Sequence, residues 1–133
     1  FLLESGLPQA AAQAYRRPAA LAPDQPLILS GLGRALIAID TPAATREALE
    51  VLTRARQSDK ADATAVRNVA IAHARLGNPG QASLATAERM MLSGRPADAA
   101  IHAGRAQKQL SAGSPGWRQA DDILRAARRA ADD

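Results

Sequence analysis

An all-α fold, built from about eight helices in four hairpins, is what this 133-residue chain predicts. Three observations carry that expectation. Hydrophobic residues make up 47% of the chain while aromatics make up only 2%, and alanine is the commonest type. A core of that composition has to come from closely spaced helices, because Ala offers little area to bury and favours helix above all. Gly and Pro punctuate the chain in a set order, Gly77 before Pro79, Gly94 before Pro96 and Gly113 before Pro115. That order is typical of short helices that stop at Gly and restart at Pro. Finally, apolar residues recur at three- and four-residue steps with no alternating stretch, which argues against strands. The length suits one domain, residues 1–133, with a core of its own.

The first elements are the least regular. Residues 1–5 read as the tail of a helix that Gly6 ends, and Pro8 opens the next. The chain opens at Phe1 without methionine or a signal-like segment, so a fragment of a longer protein is expected. Ala11-x3-Tyr15 marks the packing face of the helix after Pro8, and Pro23 closes it. Pro18 falls inside that helix, where a missing N–H and a clash with the preceding turn cost about 3 kcal/mol. A kink or an early stop near Arg16–Arg17 is the expected result.

The stretch from Pro26 to Ala55 organises the rest. Leu29, Leu32, Leu36 and Ile39 share one face of a helix, and Ile28 and Ala35 widen it enough to predict cover on two sides. Asp40-Thr41-Pro42 then stops one helix and starts another, with Thr41 as N-cap and Pro42 at the first helical position. Ala48, Leu52 and Ala55 line the second helix, backed by Leu49. Leu29-x2-Leu32-Gly33-x2-Leu36 followed by Ala48-x3-Leu52 resembles the tetratricopeptide (TPR) pattern W-x2-L-G-x2-Y … A-x3-F … P. Aliphatic residues replace the aromatics, the turn carries an insertion of about three residues, and Lys60 stands where the closing Pro belongs. The resemblance implies a TPR-like α-α superhelix, a solenoid of helix pairs.

Asp62 to Leu76 continues it as a first helix, with Val66-x2-Val69-Ala70-x2-His73 at the same spacing and Gly77 at its end. Asn78 is expected to cap the next helix, which Pro79 opens and which runs to Ser93. That helix reads two ways. Ala82-x3-Thr86 suits the second helix of repeat three, and Thr86-Ala87-x2-Met90 suits the first helix of repeat four; the first pairing is favoured. Pro96 then opens a helix with Ala99, Ala103, Ala106 and Leu110 on one face. Ser114-Pro115 starts the last, with Trp117, Ala120, Ile123, Leu124 and Ala127 on its apolar side and enough Arg and Asp elsewhere to serve as a polar C-terminal cap.

Little in the chain points to catalysis. There is no cysteine, so disulfides and thiol chemistry are excluded. His73 and His102 lie on different helices and neither belongs to H-E-x-x-H. His73 occupies a packing position, and His102 stands four residues after Asp98, the spacing of a surface helix pair. Gly31-x-Gly33 follows no strand and so is no dinucleotide loop. No metal or cofactor is called for, and the chain reads as a non-enzyme. Net charge is +4, spread along helix faces in pairs such as Glu50/Arg54 and Asp121/Arg125 rather than clustered with aromatics, which speaks against nucleic acid. The Arg125, Arg128 and Arg129 cluster suits the negative end of a terminal helix. No apolar run reaches the roughly 18 residues a membrane span needs.

What remains is surface. A TPR superhelix turns its first helices toward a concave face that takes extended peptides. Helical spacing directs Ser30, Arg34 and Ile37 there from one helix, and Arg67, Asn68, Ile71 and Arg75 from the next. Helix 79–93 is expected to add Leu84, Glu88 and Met91 to that groove. Three guanidinium groups and an amide beside apolar patches favour a peptide or protein with acidic groups or a C-terminal carboxylate.

The C-terminal half carries a closer resemblance. ASLATAERMMLSGRPADAAIHAGRAQ followed by GSPGWRQADDIL is similar to the tail of bacterial periplasmic TPR-containing zinc metalloproteases, the BepA-like group, and residues 2–38 resemble the repeats that follow their peptidase domain. The resemblance implies a periplasmic module that recognises a protease's substrates or partners. The alternative it allows is a structural domain that packs on its own peptidase domain or self-associates. The zinc ligands and catalytic Glu of that family have no counterpart in this chain.

Overall fold

A computed structural model describes residues 2–132 of the chain, with side chains from residue 7 to residue 132. The architecture is all-helical, 83% helix without strands among the described residues, and it contains seven helices rather than eight. They are α1 (Leu2–Leu21), α2 (Pro26–Ile39), α3 (Pro42–Ser58), α4 (Ala63–Arg75), α5 (Pro79–Leu92), α6 (Pro96–Gln109) and α7 (Pro115–Asp132). None is long and apolar enough to cross a membrane.

The missing eighth helix is explained by α1. It runs unbroken through Gly6, Pro8 and Pro18, where the sequence suggested a boundary at the first two and an early stop at the third. Tertiary packing outweighs the local penalty: Ala12 and Ala19 are buried and Tyr15 packs beside them, a stripe at helical spacing against α2. Pro18 also sits close enough to the end that its own carbonyl closes the last turn, accepting from Ala22 N at 2.9 Å.

The other starts and stops follow the residues. Pro occupies the first position of α2, α3, α5, α6 and α7. Thr41 Oγ1 accepts from Ala44 N at 3.1 Å, Asp62 Oδ1 from Ala65 N at 3.0 Å and Ser114 Oγ from Trp117 N at 3.3 Å. Asn78, expected to do the same, makes no side-chain cap. Instead the α4–α5 and α5–α6 junctions share one backbone device. Gly77 and Gly94 adopt φ of 78° and 71°, which lets the next residue donate back into the helix just ended. Asn78 N reaches His73 O and Arg95 N reaches Met90 O, both at 2.8 Å, the paired closure of a Schellman motif. Replacing Thr41 with Ala is expected to cost about 1 kcal/mol, read as a lower urea midpoint. An unchanged midpoint would show that Pro42 alone fixes the start of α3.

Each helix packs on the next, and two further pairings decide the shape: α2 touches α4, and α5 touches α7. Among the described residues α4 does not meet α6, so the layer in which alternate helices touch changes at α5. The core divides at the same place. One cluster runs from Ala12 through Leu29, Leu36, Leu52 and Val66 to Ala85. The other joins Leu84 and Ala87 to Ala103, Ala106 and Ala120. Helix α5 serves both cores: Ala85 completes the first, and Leu84 and Ala87 begin the second. The favoured pairing with α4 exists, but α5 also stands beside α7 as the first helix of a new pair would.

Small residues set the spacing between helices. A Cβ on Gly33 would lie 2.4 Å from Leu52 Cγ, and one on Gly31 2.4 Å from the Tyr15 ring. Leu110 fills the same role in the second core, seated over Gly80 and Gly116.

Candidate functional site

The face expected to form a groove, between α2 and α4, is largely closed by its own residues. Ile37 and Asn68 are 7% and 5% exposed and belong to the interior, not to an open surface. Ile71 is half-buried and packs on the first core. Ser30 Oγ donates to Asp62 Oδ2 at 3.0 Å, tying α2 to the N-cap of α4. At the other end Arg75 donates to Ile37 O at 2.7 Å and pairs with Asp40 at 3.3 Å. Its cation thereby sits on the last turn of α2, where the free carbonyls and the helix dipole favour positive charge. Of the three arginines, then, Arg75 is engaged within the protein. Arg34 and Arg67 are exposed and form no ion pair among the described residues.

An open cleft lies elsewhere. It occupies about 640 Å³ between the C-terminal half of α3, the last turns of α5 and the middle of α7. From α3 and the residues after it come Thr53, Arg56, Gln57 and Lys60; from α5 come Glu88, Met91 and Leu92; from α7 come Gln119, Asp122 and Ile123. Its lining mixes the apolar Met91, Leu92 and Ile123 with polar and charged side chains, and its volume falls within the roughly 300–1,000 Å³ usual for binding sites. Leu92 is 43% exposed and, with Met91 and Ile123, gives the cleft its large apolar side chains.

Of the residues expected to line the groove, Met91 and Glu88 border this cleft, while Leu84 is buried in the second core. The signal for the remainder was the run Met90-Met91-Leu92. Three consecutive apolar residues sweep too wide an arc of a helix to enter one core. Met90 takes the interior at 8% exposure, and Met91 and Leu92 turn outward into the cleft.

The cleft exists because α3 and α5 stand apart. Among the described residues α3 does not meet α5 or α7 at backbone packing distance. An ion pair bridges the gap instead, from the Arg56 guanidinium to the Glu88 carboxylate, with side chains 26% and 23% exposed. Arg56 Nε is buried with no hydrogen-bond partner.

The histidines lie away from this cleft. Burial lowers the pKa of His73, which favours the neutral ring, and the Asn78 amide stands 3.4 Å from its Nδ1. His102 is lowered too, by burial first and then by Arg105, and Arg95 adds to this while Asp98 opposes it. The expected Asp98–His102 pair is not formed, because Arg95 takes the Asp98 carboxylate at 2.5 Å. Of the two charge pairs read at four-residue spacing, Asp121–Arg125 forms at 3.0 Å. Glu50–Arg54 does not, and the ion pair on that flank is Arg16–Glu47, between α1 and α3 at 2.6 Å.

No family model matches the chain, and no curated protein does either.

Proposed function

We propose that this chain is a protein–protein interaction module that receives a segment of a partner in the cleft between α3, α5 and α7. The observation that carries the reading is the open cleft itself, where the exposed Leu92 and the half-buried Met91 and Ile123 stand among polar side chains of three helices. Two features support a TPR-like kinship for that frame. Gly33 of the Leu-Gly pair meets Leu52 of the Ala-x3-Leu pair, the close approach that the repeat pattern encodes, and Ala48 is wholly buried beside them. The resemblance of residues 82–107 and 113–124 to BepA-like proteases supports a periplasmic setting, as the recognition domain of such an enzyme.

Titration of the full chain with a peptide library, read by fluorescence anisotropy, tests the proposal. Saturable binding is expected to weaken at least about tenfold in Met91→Lys. Binding that ignores Met91 but is lost in Arg34→Ala/Arg67→Ala would move the partner to the α2–α4 face and favour a carboxylate-bearing ligand. No binding, with dimers in sedimentation experiments, would favour a structural role in self-association. No binding with a monomeric chain would favour docking on a peptidase domain of the same protein.

A further inference from the structure

The shape and charge of the cleft say more about its occupant. We infer that it takes a single amphipathic helix of a partner protein, with one acidic and one basic flank on either side of an apolar stripe. This rests on the interaction reading above and sharpens it.

The first reason is the backbone. An extended peptide buried against apolar surface needs partners for its own N–H and C=O groups. A sheet edge supplies them, but α3, α5 and α7 spend their backbone groups internally, and the cleft wall consists of side chains. A helix brings its backbone bonds with it and presents only side chains, so it is the form of chain that enters such a cleft without loss. The second reason is shape. Packed helices lie about 8–10 Å apart, and α3 stands beyond backbone packing distance from both α5 and α7 while all three border one cleft. The cleft thus opens between α3 on one side and the packed pair α5 and α7 on the other, a gap between helices of the kind a further helix fills in a bundle.

The third reason is charge. Arg56 and Glu88 neutralise each other within the cleft. That leaves one exposed cation on the α3 side, Lys60, and one exposed anion on the α7 side, Asp122. Neither forms an ion pair among the described residues. A helix seated on Met91, Leu92 and Ile123 places its two flanking positions against these charges, as flanking residues do in coiled coils. Complementarity then asks for an acidic flank toward Lys60 and a basic flank toward Asp122. Because a helix enters in either direction, the requirement is one flank of each sign.

Four synthetic peptides with the same apolar stripe test this against the full chain: mixed flanks, both acidic, both basic, and mixed flanks with a central Pro. The mixed peptide is expected to bind about fivefold tighter than either single-sign peptide and at least about tenfold tighter than the Pro version. Both rim residues are exposed, so charge reversal leaves the fold intact, which circular dichroism checks. Asp122→Lys is expected to make the doubly acidic peptide the best ligand, and Lys60→Glu the doubly basic one. Equal binding of the Pro peptide would overturn the helix, and a ranking indifferent to both reversals would overturn the charge reading. Either result, with binding still lost in Met91→Lys, would leave the cleft as an interaction site and discard only this inference. No binding by any of the four, in a chain that binds nothing through Met91, would remove both.

Discussion

Leu52→Ala is expected to lower the unfolding free energy by about 2–5 kcal/mol, near the largest effect of any single truncation in this chain. Leu52 is fully buried at the centre of the larger core, and its branch point lies against the backbone of Gly33 on the neighbouring helix. Gly33 can be tested from the other side. An added Cβ would come within 2.4 Å of Leu52 Cγ, and with Leu52 enclosed there is no open side to move into. Overpacking of about 1–3 kcal/mol therefore competes with the roughly 1 kcal/mol that Ala gains over Gly in a helix. The net expectation for Gly33→Ala alone is destabilisation. In the Leu52→Ala background the obstruction is gone, the new methyl occupies part of the cavity, and Gly33→Ala should become stabilising. Urea unfolding of the four proteins in a double-mutant cycle measures the change of sign. Additive effects would show that the two helices do not meet through this pair. Gly31 offers a milder control, because the group it faces is the end of the half-buried Tyr15 side chain.

How far the fold was legible follows from where each signal is local. The α2–α3 hairpin was readable because its periodicity, its Thr41-Pro42 start and its Leu-Gly spacing all agree. The junctions at Gly77 and Gly94 were readable as stops, though the Asn78 side chain was assigned a task that its backbone N–H performs. The early stop expected as one outcome at Pro18 did not occur, because a local penalty is visible in sequence and the packing of Ala12 and Ala19 that overrides it is not. The burial of Ile37 and Asn68, expected to line an open groove, escaped the sequence for a related reason. Helical spacing tells which residues share a face, but not whether the neighbouring helix closes it. Ser30 to Asp62 and Arg75 to Ile37 span 32 and 38 residues, and no spacing rule anticipates such partners. The cleft that does open depends on the change of layer at α5. The ambiguous spacing of helix 79–93 was the one local sign of that change, and in the structure α5 contributes residues to both cores.

The ion pair that bridges this change of layer should reveal itself through an asymmetry between single and double substitutions. Glu88→Ala leaves the Arg56 guanidinium three-quarters enclosed, with Nε already lacking a partner and the carboxylate gone. Full burial would make such a loss worth about 3–5 kcal/mol. The remaining exposure of both side chains lets water screen the orphaned charge, so about 1–3 kcal/mol is expected. Arg56→Met/Glu88→Leu removes both charges and keeps the volume, and should lie within about 1 kcal/mol of the parent. The pair, on this account, costs nearly as much to desolvate as it returns, and its role is to hold α3 and α5 at a fixed separation rather than to stabilise the fold. The decisive comparison is therefore of stability with binding. If the double variant unfolds like the parent but binds the mixed-flank peptide at least about tenfold more weakly, the pair sets the width of the cleft. If stability falls as far as in Glu88→Ala, the bridge is a net source of stability and the cleft is a by-product of it.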